Sequence, residues 1–94
     1  MPTSSIRGKS LKAMAYDIAD GYVTVNPLFL KPLDIDSLTG LYHEIIQTQI
    51  SIRGEKIILS DSPSVRMRNV RLQRLYSSLM IIKNFARERR IVMV

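Results

Sequence analysis

Nothing constrains the fold of this chain as tightly as the stretch from Ser62 to Arg90, SPSVRMRNVRLQRLYSSLMIIKNFARERR. Ser62 suits an N-cap and Pro63 the first helical position, and no breaker interrupts a helix for about seven turns afterwards. Leu72, Leu75, Leu79, Ile82 and Ala86 recur at alternating spacings of three and four, so one apolar seam runs along the helix. Met67, Val70, Ile81 and Phe85 form a second apolar arc, and Tyr76 and Met80 widen the first seam on its other side. A helix apolar over so much of its circumference sits centrally in a bundle. One economical arrangement is a two-fold homodimer in which Leu72, Leu75, Leu79, Ile82 and Phe85 form the interface. The competing arrangement is a monomer whose second arc is covered by Leu28–Leu30 and Ile57–Leu59.

The remaining chain supplies too little helix to bury all of this surface unaided. Residues 1–9 show no apolar periodicity and are expected to form a flexible tail, with residues 10–94 as a single helical domain. Ser10 can cap a short helix from Leu11 to Asp20, ended by Gly21. Tyr22 to Val25 alternates like a strand. Asn26, Pro27 and Pro32 break regularity, which predicts that Leu28, Phe29 and Leu30 form an extended apolar plug over the core. An amphipathic helix follows, from Asp36 as N-cap to Arg53 with Gly54 as the stop. Its core face carries Leu38, Leu41, Tyr42, Ile45, Ile46 and Ile52, and Asp36, Gly40, His43, Glu44, Gln47 and Ser51 lie opposite. Ile57–Leu59 is too apolar for a free loop and can pair as a short strand near 56–59 with 22–25 or pack under the helices; alternatively, 50–52 and 56–59 form a hairpin. The fold class expected is mainly α: a short N-terminal helix, an amphipathic middle helix and a long C-terminal helix in a hairpin or bundle.

At 94 residues the chain is one domain near the small end of what buries its own core. It has no cysteine, which excludes disulfides, thiol nucleophiles and cysteine-based metal sites. Apolar runs such as Leu79 to Ile82 are far short of a membrane span, and the start has no apolar signal stretch, so a cytoplasmic protein without membrane insertion is expected. The C-terminal residues Ile91 to Val94 are all apolar and suit packing against the protein itself. Charge is asymmetric: residues 1–47 carry four basic and five acidic side chains, residues 48–94 ten and three, giving the net charge of +6. A basic half of this kind suits nucleic acid, an anionic surface or an acidic protein partner.

Catalytic chemistry finds little to work with. No phosphate-binding glycine loop is present, and the single histidine, His43, falls on the polar face of the middle helix. Asp34 and Asp36 before a helix serve capping better than metal binding. No enzyme activity, cofactor or metal is therefore expected. The arginines are the anomaly. Arg66, Arg68, Arg71 and Arg74 crowd the first half of the last helix, where its dipole disfavours cations by about 0.3–1 kcal/mol each. An anion held by Ser64, Arg66, Arg68 and Arg71 would offset that cost; Glu55 and Asp61 would do so in part. Solvated side chains whose stems cover apolar neighbours are the plainer explanation. The expected function is a small, non-catalytic helical interaction or adaptor protein that self-associates and takes a protein partner. The alternative is a basic nucleic-acid-associated protein using Arg66–Arg74 and Arg87, Arg89 and Arg90.

Overall fold

The computed structural model describes residues 5–6, 8–55 and 62–92. Four helices account for most of them: α1 (Leu11–Ala19), α2 (Pro27–Leu30), α3 (Ile35–Arg53) and α4 (Ser62–Glu88). A two-residue antiparallel ladder, β1 (Ser5–Ile6) with β2 (Lys9–Ser10), precedes them, so part of the stretch expected as a tail is paired. The fold is mainly α, with α1, α3 and α4 packed against one another as a bundle.

Local chemistry sets the helix ends. The Ser10 hydroxyl accepts from the Ala13 amide at 3.1 Å and caps α1. At the other end Gly21 takes φ +84°, the Gly21 amide donates to the Ile18 carbonyl and the Tyr22 amide to the Asp17 carbonyl. This pair of bonds is the glycine-terminated Schellman arrangement. The cap of α3 is Asp34, whose carboxylate accepts from the Ser37 amide at 2.7 Å, and Gly54 follows the last turn. The expected cap, Asp36, lies instead in the first turn, where a carboxylate complements the helix dipole.

Three local expectations are corrected. Residues 22–25 form no strand: they carry the chain from α1 to α2 with Tyr22 exposed and Val25 buried. Alternation is present, but no described strand pairs with it. Residues 56–59 lie outside the described residues. The plug at 28–30 is helical rather than extended, because Asn26 accepts from the Phe29 amide at 2.9 Å and Pro27 stands at the first position, where a missing amide costs nothing. Phe29 and Leu30 are buried and cover the core, whereas Leu28, expected to do the same, is exposed. Because 50–52 continue α3, they take no part in a hairpin.

The core is one cluster. Met14 and Ile18 of α1, Leu30 of α2, Leu38, Leu41, Ile45 and Ile52 of α3, and Leu75 and Ile82 of α4 are fully enclosed. Gly40 leaves room for the tip of the Leu11 side chain, which a Cβ there would meet at 2.6 Å. The buried hydroxyls of Thr48 and Ser78 donate to the carbonyls one turn back, Glu44 and Arg74, which satisfies them without a cross-helix partner. Antiparallel packing of α3 and α4 follows from their contacts. Glu55, just past α3, reaches Arg71 early in α4, whereas Tyr42 early in α3 shares a cleft with Ala86 and Ile91 at the far end.

Candidate functional site

The two ends of α4 carry the charged residues that sequence reasoning singled out, and they are used differently. At its first half, Arg71 reaches between the other two helices. Its Nε lies 3.1 Å from the Asp20 carboxylate at the C-cap of α1, and its Nη1 lies 3.5 Å from Glu55 beyond α3. The Nε–H is not aimed at the Asp20 oxygen, so this contact is an ion pair rather than a well-formed hydrogen bond. Arg74 Nη1 donates to the Ala19 carbonyl at 3.0 Å, at the negative end of the α1 dipole. Its guanidinium fits against Gly21, where a Cβ would stand 3.0 Å from Arg74 Cζ.

These contacts resolve much of the dipole conflict. The first half of α4 is unfavourable for cations considered alone, but the carbonyl end of α1 meets it there, with Asp20 and Glu55 beside it. Two of the four arginines are thereby engaged within the chain. Of the proposed anion ligands, Ser64, Arg68 and Arg71 share one side of α4 by helical phase, and Arg66 is exposed on the opposite side. The four therefore do not converge. Arg68 is half-buried, and its Nε has no hydrogen-bond partner among the described residues.

The residues expected to form an intermolecular seam are largely consumed inside the chain. Leu75, Ile82 and Phe85 are buried, and Leu72 and Leu79 are half-buried and packed on the same core. Leu75, Ile82 and Phe85 are therefore packed within the chain, while Leu72 and Leu79 keep part of their surface exposed. Exposed apolar surface lies elsewhere. Tyr76 is 56 % and Met80 40 % exposed on α4, and Ile35 is 58 % and Ile50 55 % exposed on α3. By helical phase and antiparallel register, Ile35, Tyr42, Ile46 and Ile50 line the outer edge of α3 beside Leu72, Tyr76 and Met80 of α4.

This outer edge runs into a cleft at the far end of α4. The cleft is about 560 Å³, with Tyr42, Met80 and Ile91 as apolar lining and Lys83, Arg87 and Arg90 among its polar residues. None of these cations forms an ion pair among the described residues; Arg87 donates to Asn84 at 2.6 Å. The neighbouring Arg89 stacks on Phe85 at 3.9 Å from the ring centroid. Helix α4 ends in the same bond pattern as α1, the Arg90 amide donating to the Arg87 carbonyl and the Ile91 amide to that of Ala86. Here the left-handed position, φ +57°, belongs to Arg90 rather than to glycine. Ile91 packs on the core and Val92 is exposed.

His43 is exposed on α3, its ring 6.0 Å from that of Tyr42. Among the described residues, no group of three or more histidines or acids could hold a metal ion, and no helix is long and apolar enough to cross a membrane. No protein-family model, curated protein or solved structure matches the chain.

Proposed function

We propose that the chain is a non-catalytic helical interaction module of the cytoplasm that associates with a second copy of itself through the outer edge of α3 and α4. The observation that carries this reading is the exposed apolar stripe of Ile35, Ile50, Tyr76 and Met80. These residues stand on two adjacent, well-packed helices, and exposed apolar side chains gathered on one face mark interaction surfaces. A rigid helical face of this kind suits isologous pairing, in which the same patch serves both partners. Sedimentation equilibrium from micromolar to millimolar concentration tests it: twice the monomer mass is expected, and Tyr76→Lys should return the protein to monomer while leaving its fold intact. Monomer at every concentration would contradict the reading.

A nucleic-acid-associated function is the second reading, supported by the cations Lys83, Arg87, Arg89 and Arg90 at one end of α4. It draws less from the first half of α4, because Arg71 and Arg74 are engaged with Asp20, Glu55 and the Ala19 carbonyl. Binding of this kind would weaken steeply with salt as phosphate contacts release counterions.

A further inference from the structure

We infer that the cationic cleft at the end of α4 receives the acidic first turn of α3 from a second copy of the chain, so that Lys83 and Arg87 of each protomer face Asp36 of the other. This rests on the self-association proposed above and assigns its polar contacts. Three observations carry it.

The first is charge complementarity. Lys83, Arg87 and Arg90 sit around an apolar lining with no acidic partner among the described residues. Asp36 is exposed beside the exposed Ile35, also without an ion pair among the described residues. The second is reach. Asp36 lies at the same end of the bundle as the cleft: it precedes Tyr42, a cleft residue, by six positions, about 9 Å of helix rise and about a third of a turn around α3. Its own chain's Lys83 and Arg87 are not within ion-pairing distance. A two-fold axis across the α3 and α4 edges makes the pairing reciprocal: each acidic turn meets the other copy's cleft, and Ile35 provides an apolar side chain for the lining of Tyr42, Met80 and Ile91. Two chains of net charge +6 repel one another overall. Cleft facing cleft would concentrate that repulsion, and cleft facing the α3 turn relieves it. The third is the residue at φ +57°. Glycine holds a left-handed helix end at less cost than any side chain, yet Arg90 occupies this one and joins the cleft lining. Its side chain is thus kept at a conformational cost in the cleft itself.

Charge reversal on the intact chain tests the assignment by sedimentation equilibrium. Arg87→Glu lowers the net charge of each copy, so general repulsion alone would tighten association; the proposed contact predicts at least about a tenfold weaker dimer. Lys83→Glu should act in the same direction, and Asp36→Lys should also weaken it about tenfold. The doubly reversed chain, Asp36→Lys with Arg87→Glu, should associate at least about threefold more tightly than the product of its two single effects, because the contact between positions 36 and 87 is restored with its signs exchanged while Lys83 stays cationic. Circular dichroism of every variant confirms that the helices persist. A parent dimer that Arg87→Glu and Lys83→Glu leave unchanged or tighten would overturn this contact while leaving self-association standing. So would a doubly reversed chain as weak as the product of its two single variants. A parent that stays monomeric would remove the self-association and this inference together, and loss of DNA or RNA binding in Arg87→Glu of such a monomer would assign the cleft to nucleic acid instead.

Discussion

The two ends of α4 carry the same kind of residue and put it to opposite use. In the first half, Arg71 and Arg74 reach across to the carbonyl end of α1, with Glu55 paired from beyond α3. In the last turns, Lys83, Arg87 and Arg90 surround an open cleft, at the end of a helix whose own dipole favours cations. Net charge does not distinguish them. What does is which neighbouring element arrives alongside. A helix that ends against α4 presents partial negative charge and consumes the arginines there; where the neighbouring α3 is beginning, nothing comparable is offered, and the cations stay available.

The largest expected effect breaks the comparison at its base. Leu75→Ala should destabilise the protein by about 2–5 kcal/mol, measured by urea unfolding, because Leu75 is fully enclosed within the chain. Similar loss at low and high protein concentration would mark the seam as internal; a loss that disappears on dilution would return it to an interface. Gly21→Ala comes next, at about 1–2 kcal/mol, since alanine resists φ +84° and its Cβ would press on the Arg74 guanidinium. Arg74→Gln should cost about 1 kcal/mol by removing the charged donor from the Ala19 carbonyl. At the other end Arg90→Gly should change stability in the opposite sense, raising it by about 0.5–1 kcal/mol in thermal unfolding as the left-handed strain is relieved, while weakening the dimer. The smallest effect is expected at Arg66→Gln, a few tenths of a kcal/mol of stabilisation, because Arg66 is exposed in the first turns and forms no ion pair among the described residues. A phosphate-dependent rise in melting temperature that Arg66→Gln abolishes would show instead that this end of α4 is an anion site.

The legibility of the chain follows the range over which each determinant acts. The Ser10 cap, the Gly21 stop and the helices around them are local signals, and α1, α3 and α4 lie within a few residues of where periodicity and caps place them. Asp34 and Asp36 are two equally good caps two residues apart, so sequence could not choose between them. At Asn26-Pro27 the proline acts as a helix starter rather than a breaker, because a capping side chain stands directly before it. The ladder of Ser5–Ile6 with Lys9–Ser10 is too short to leave a periodic signature. The arginine crowding was visible as an electrostatic conflict, and Glu55 as one local remedy. The main remedies were not, since Asp20 and the Ala19 carbonyl lie about fifty positions upstream, and a backbone carbonyl has no sequence signature at all. Surface availability was likewise hidden. Which parts of its circumference α1, α2 and α3 would cover depends on how the helices cross: Leu75 and Ile82 of the first seam and Phe85 of the second arc are buried, whereas Tyr76 and Met80 beside the first and Met67 and Val70 of the second stay exposed.

A double-mutant cycle on Arg71 and Asp20 addresses the inward use of the first-half arginines most directly. Asp20→Asn, Arg71→Gln and the double variant are unfolded in urea beside the parent. Arg71 is half-buried and Asp20 partly exposed, so a coupling of about 0.5–1 kcal/mol is expected, reduced by raising the salt. Strictly additive single changes, with Arg71→Gln neutral or stabilising, would contradict it: Arg71 would then be a solvated cation at the wrong end of its helix.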